Sequence, residues 1–162
     1  MPILKRLQSY LDNHKIPYEV VSHPTAYTAH DVAKTLHVSG NVFAKVVMVK
    51  ADERFVMAVL PSTWRVDLKR LRDVLEAREV RLATERECAD LFPDCDVGTM
   101  PPFGNLYGVE VYVDQLLTKD ESIVFEAGTY VGAMKLRYKH FAELVRPKVA
   151  AFHHEPSKLA PY

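Results

Sequence analysis

Glycine is sparse in this chain, six residues in 162, and cysteine is sparser, with two. None of the glycines falls in the spacing of a phosphate loop or a dinucleotide fingerprint; "GNLYG" has the wrong intervals and follows no expected strand. Cys88 and Cys95 lie seven apart in "CADLFPDC", which matches neither a zinc knuckle nor a CxxC redox pair, so they read as reduced thiols. Charge of one sign is not in excess either. With 21 basic and 21 acidic residues there is no global field to hold a long polyphosphate, which argues against extended duplex DNA as a partner. No apolar run is long enough to span a membrane, and "MPILKRLQSYL" lacks the apolar core and small-residue cleavage site of a signal peptide, so the expected location is cytoplasmic. A GxSxG turn, the usual seat of a hydrolase serine, is also missing.

What is present is an ordinary globular composition, 48% apolar and 26% charged, long enough to bury a core without disulfide or metal staples. Ile3, Leu4, Leu7 and Leu11 recur at helical spacing, and "YEVVSHP" reads as a strand stopped by Pro24. In "YTAHDVAKTLHVSG", Thr28 and Asp31 resemble a capping box ahead of the stripe Val32, Ala33 and Leu36, and Gly40 ends the segment. "VVMVK" and "RFVMAVLP", joined by "ADE", read as paired strands, and their unbroken apolar character predicts cover on both faces at the centre of a sheet. Asp67 starts a helix carrying Leu68, Leu71 and Leu75; "VRLA" is a short strand; Thr84 and Glu87 form a capping box for a helix ending near Leu91. After a long loop come the strands "VEVYVD", "SIVFEAG" and "VGAMKLRY" and a last helix, "YKHFAELV". With no repeat and no linker, the pattern predicts one α+β domain over residues 1–147, followed by a C-terminal tail, 148–162, draped over the surface with His153 and His154 solvated.

Three histidines, His23, His30 and His37, fall seven apart. Only the last two can share a helix, where two turns separate them by roughly 10.5 Å, too far to share an ion, so no metal site is expected. Two features point to chemistry instead. Lys45 stands at the mouth of a strand whose next residues look buried; its stem could simply lie on apolar surface with the head in water, or it could place a fixed charge at the rim of a cleft. The stretch "GTMPPFG", residues 98–104, sets Pro101, Pro102 and Phe103 between two glycines, stiff in the middle and free at the ends. Such a loop is either a rigid connector or a preorganised cradle of amides for an anion.

In order and spacing, "SHPTAYTAHDVAKTLHVSGNVFAKVVMVK", "FVMAVLP", "DVGTMPPFGNLYGVEVYVD" and "VFEAG" resemble the YbaK/ProX family of aminoacyl-tRNA deacylases, relatives of the editing insertion of bacterial prolyl-tRNA synthetase. The resemblance implies a mixed curved sheet flanked by helices, no cofactor, and hydrolysis of the ester that joins a wrong, small amino acid to a tRNA such as tRNA-Pro. It implies contact with the acceptor end and leaves room for a synthetase as partner. Lys45 matches the family's pocket lysine, an electrostatic anchor, with substrate groups and an ordered water acting in place of a protein base. Gly98, Thr99, Met100, Pro101, Pro102, Phe103 and Gly104 match its substrate-holding loop, and Tyr27, Thr28, Pro61, Ser62, Glu126 and Gly128 fall in stretches that line the pocket in relatives. Two positions depart from the pattern: Val46 follows the lysine where Thr or Ser is usual, and Glu126 replaces a smaller polar residue. These departures keep open a second reading, a binding module of the same fold without catalysis.

Overall fold

Strand β2 (Ala44–Ala51) turns through Asp52 into β3 (Arg54–Pro61), and the two pair antiparallel from Ala44 opposite Pro61 to Ala51 opposite Arg54. The computed structural model describes residues 3–23, 32 and 42–154, so the expected helix after Pro24, with His30 and His37, lies outside the described residues. Around this hairpin a five-stranded mixed sheet is ordered β5-β2-β3-β6-β9, where β5 is Val80–Leu82, β6 Glu110–Asp114 and β9 Lys148–Ala150. β5 is antiparallel to β2, whereas β6 and β9 run parallel to their neighbours. A separate antiparallel sheet joins β1 (Glu19–Ser22), β8 (Gly132–Arg137) and β7 (Ser122–Thr129). The two sheets touch where Phe43 bridges Val124.

Strand alternation explains why the hairpin is apolar on both faces. Ala44, Met48, Met57, Val59, Val111 and Val113 face one core, and Val49, Ala51, Val56, Ala58, Leu60 and Tyr112 face the other. The first core is closed by Leu7 and Leu11 of α1 (Lys5–Asn13), by Phe141 and Val145 of α4 (Tyr138–Val145), and by Phe125 and Met134 of the second sheet. The second is closed by Leu71 and Leu75 of α2 (Leu68–Leu75) and by Phe152. Asp67 caps α2 by accepting from the amides of Lys69 and Arg70 at 3.0 and 3.1 Å. Thr84 and Glu87 form the expected capping box on α3 (Glu85–Leu91). Among the described residues no helix is long and apolar enough to cross a membrane.

The C-terminal segment departs from expectation. Up to residue 154 it does not drape over the surface: β9 extends the sheet, Phe152 is fully buried, and β10 (His153–His154) pairs with β4 (Arg65–Val66). The two histidines are half-buried, with His153 Nδ1 3.0 Å from Asp114 and His154 Nδ1 3.0 Å from Asp67. A three-residue strand leaves little periodic signal, and its strength comes from pairing with a distant partner and burying one phenylalanine.

Candidate functional site

β5 pairs with β2 from Val49 onward and β7 bridges Phe43, so among the described residues the stretch of β2 from Ala44 to Val47 has no ladder partner on that edge. Here a hollow of about 130 Å³ is lined by Ala44, Lys45, Val46, Gly98, Met100 and Glu126. It brings together residues from three separate parts of the chain.

The loop reaches the hollow because a β-bulge in β7, between Glu126 and Thr129, releases backbone groups from the β7–β8 ladder. Gly128, at φ +93°, donates its amide to Thr99 O at 2.9 Å and accepts from Asp96 N at 2.9 Å. Tyr130 N donates to Asp96 Oδ2 at 3.1 Å, and Thr99 Oγ1 donates to Asp96 O at 2.7 Å. Gly98 takes φ +80°, a conformation costly for other residues, and so turns the chain along the hollow. Thr99 N–H donates to Asp96 O; the amides of Gly98 and Met100 donate no hydrogen bond among the described residues.

Only part of the expected constellation converges. Lys45, Gly98, Met100 and Glu126 line the hollow. Thr99 is buried in the stitching just described, and Pro101 and Pro102 are buried without lining it. Phe103 is a core residue: it has no exposure, and its ring packs on Phe125 and Phe141 at centroid distances of 5.7 and 5.5 Å. Gly104 is required by packing and not by its backbone angle, because a Cβ there would lie 2.6 Å from Val109 O. The stiffness read from "PPF" thus anchors the loop in the core and leaves its first half for the hollow. Pro61 ends β3 opposite Ala44, and buried Ser62 donates its amide to Phe43 O at 2.8 Å; neither lines the hollow. Gly128 shapes it from behind, and Tyr27 and Thr28 lie outside the described residues.

Burial, reinforced by the nearby charge of Arg65, lowers the pKa of Lys45 to about 8. It stays largely protonated at neutral pH. Burial alone raises Glu126 to about 8. Arg65 was not legible as a neighbour, since only the return of the chain through β4 sets it there. Ala44 was missed because strict alternation assigns it to the face opposite Lys45, where it is buried in the first core while bordering the hollow.

Other chemistry is not assembled here. Both thiols are free, and burial raises the pKa of each, Cys95 to about 11, so neither is a ready thiolate. Among the described residues no group of three or more His, Cys, Asp or Glu could hold a metal ion. A larger open groove, about 660 Å³, is lined by Lys50, Lys69, Arg72, Arg78 and Arg81 together with Asp52 and Glu79. It is basic on balance, and the Asp52 carboxylate within it already accepts from the amides of Arg78 and Glu79.

The family model of the aminoacyl-tRNA editing domain matches residues 23–144. The proline--tRNA ligase of Bacillus subtilis (strain 168) is 33% identical over 97 residues, covering 60% of this chain and 17% of the ligase. That of Heliobacterium modesticaldum is 28% identical over 99 residues, covering 61% of this chain and 17% of the ligase. The chain therefore corresponds to about a sixth of the length of these curated relatives. A solved structure described as a candidate trans-editing enzyme for prolyl tRNA synthetase superposes with a TM-score of 0.80 at 21% identity, over 93% of this chain and 96% of the other. The hypothetical protein APE2540 superposes with a TM-score of 0.83 at 18% identity, over 93% of this chain and all of the other. At these identities the superpositions speak to the fold.

Proposed function

Because the chain belongs to the aminoacyl-tRNA editing domain family, we propose that it hydrolyses the ester of a small amino acid wrongly attached to a transfer RNA, acting at the acceptor end in the cytoplasm. The observation that carries this reading is the convergence of Lys45 with the start of the 98–104 loop on one small hollow. Three of its six lining residues, Ala44, Val46 and Met100, are apolar, which suits a short aliphatic side chain beside the charged groups. Small intruders are what a synthetase pocket rejects poorly, so a second sieve has a purpose.

The chemistry asks little of protein side chains. Water adds to the ester carbonyl, and its oxygen forms the new bond. The carbonyl oxygen becomes an oxyanion, and the ester bond then breaks to release the ribose oxygen, which takes up a proton. Lys45, charged and poorly solvated, stabilises the oxyanion or a terminal phosphate, and the uncommitted amides of Gly98 and Met100 are the nearest supplementary donors. Substrate groups and an ordered water move the proton.

The basic groove supports an RNA backbone alongside. Lys50, on its rim, is five residues along β2 from Lys45, about 16 Å at strand rise. The few phosphates such a groove reaches fit a chain with no net charge. A synthetase partner remains part of the proposal, since the curated relatives carry this domain within a proline--tRNA ligase.

The test is a deacylation screen over tRNA-Pro and tRNA-Ala charged with alanine, serine, threonine, cysteine and proline. Release of a small amino acid, reduced about 100-fold or more by Lys45→Ala with the fold intact, is the expected result. Retained turnover in that variant overturns the role of Lys45. Tight binding without turnover favours the binding module.

A further inference from the structure

One group at the hollow is not used by the chemistry above. Glu126 is only 6% exposed, and among the described residues its buried Oε2 has no hydrogen-bond partner. An isolated buried carboxyl is costly, and a chain keeps one where something else offsets the cost. Its strand neighbours Phe125 and Ala127 face the core, so β7 directs Glu126 the opposite way, to the hollow that Lys45 also lines. Yet among the described residues no ion pair joins the two. A cation and a carboxyl therefore border one small space without satisfying each other. The ligand that completes both carries a cationic donor and an electron-rich oxygen a few bonds apart.

An aminoacyl ester has that pattern: an ammonium on Cα and, on the adjoining carbon, the carbonyl oxygen. We propose that Glu126 is the receptor for the α-ammonium group of the substrate, so that the hollow selects a free amino group as well as a small side chain. This assignment rests on the deacylase reading. The carboxylate is an acceptor only, and a charge-assisted bond to the ammonium would fix Cα and direct the carbonyl toward Lys45 and the loop amides. The raised pKa of Glu126 agrees, since a buried carboxyl holds its proton until a cation arrives; on binding, that proton passes to solvent. Glutamate instead of a smaller polar residue at this position thus becomes a specificity element.

The experiment compares two non-hydrolysable probes by calorimetric titration: 3′-alanylamino-3′-deoxyadenosine and its 3′-propionylamino counterpart, which lacks only the amino group. The wild-type protein is expected to bind the alanyl probe about tenfold or more tightly than the propionyl probe, with the ratio falling to about one in Glu126→Gln, which keeps the side-chain volume. No preference in the wild type, a preference preserved in Glu126→Gln, or no binding of either probe overturns the assignment. Turnover of alanyl-tRNA is measured in parallel. Turnover without the preference leaves deacylation standing and removes Glu126 from the site, and the preference without turnover does the reverse.

Discussion

Asp114, with no exposure to solvent, is gripped by His153, whose Nδ1 lies 3.0 Å from Oδ1 and 3.1 Å from Oδ2. The same carboxylate accepts from Leu116 N at 3.0 Å and Phe152 N at 2.8 Å, so it ties the end of β6 to the segment after β9. Trp64 closes the arrangement, its ring edge-on to His153 at a centroid distance of 5.0 Å. The carboxylate's burial is tolerable because each oxygen is occupied.

Removing Asp114 leaves two inward amides without an acceptor. Asp114→Ala is expected to lower stability by about 3 kcal/mol. Deleting residues 148–154 should be worse, because it also strips Phe152 from the second core. Urea denaturation of each variant checks this, and a truncated chain as stable as the full one would mean the segment is dispensable.

Gly104 meets Val109 O and Val111 Cγ2 where a Cβ would stand, at 2.6 and 2.8 Å. Gly104→Ala is therefore expected to cost about 1 to 3 kcal/mol by overpacking. The backbone oxygen cannot move aside as a flexible side chain would. The shift of the urea midpoint is the readout.

The pH dependence of stability carries the mark of Glu126. Its pKa in the folded protein is raised to about 8 from an ordinary 4.5. Between those values the folded state holds a proton that the unfolded state has lost. The corresponding stability is fully present below pH 4.5 and is lost as pH rises through about 8. Glu126→Gln should flatten that decline and gain on the wild type as the buffer becomes alkaline, seen in thermal midpoints taken across the range.

Lys45 sets the pH dependence of activity. With its pKa lowered to about 8, the charge it lends the oxyanion fades above that pH. Deacylation, corrected for spontaneous ester hydrolysis, is expected to fall through about pH 8 to 9, and Lys45→Arg, which keeps its charge, should extend the alkaline limit.

For the basic groove, Arg72→Glu and Arg78→Glu, both exposed, should weaken tRNA binding without changing the thermal midpoint. Every phosphate that is no longer neutralised should reduce the slope of log affinity against log salt by about 1. A binding series at several salt concentrations measures it, and an unchanged slope would place the RNA elsewhere.

Much of the architecture was legible because it is local. The alternation in "FVMAVLP" assigns side chains to two cores before any partner is known, and Asp67 and the Thr84–Glu87 pair announce helix starts through hydrogen bonds only two or three residues long. The terminal strands were not legible, since β9 depends on a partner more than thirty residues away and has three residues to signal it. The 98–104 loop was half legible: its stiffness was evident, but burying Phe103 among Phe125 and Phe141 is a property of the assembled core.

Residue order alone set the helix caps, the two-faced hairpin and a lysine at the strand's mouth, because each depends on near neighbours and on fixed repeat geometry. Only the folded chain decided that β5 stops short of that mouth, that a bulge at Gly128 turns the glycine loop toward it, and that Glu126 ends there with no partner among the described residues. Those outcomes arise from pairing and packing between distant segments, which no short window of sequence contains.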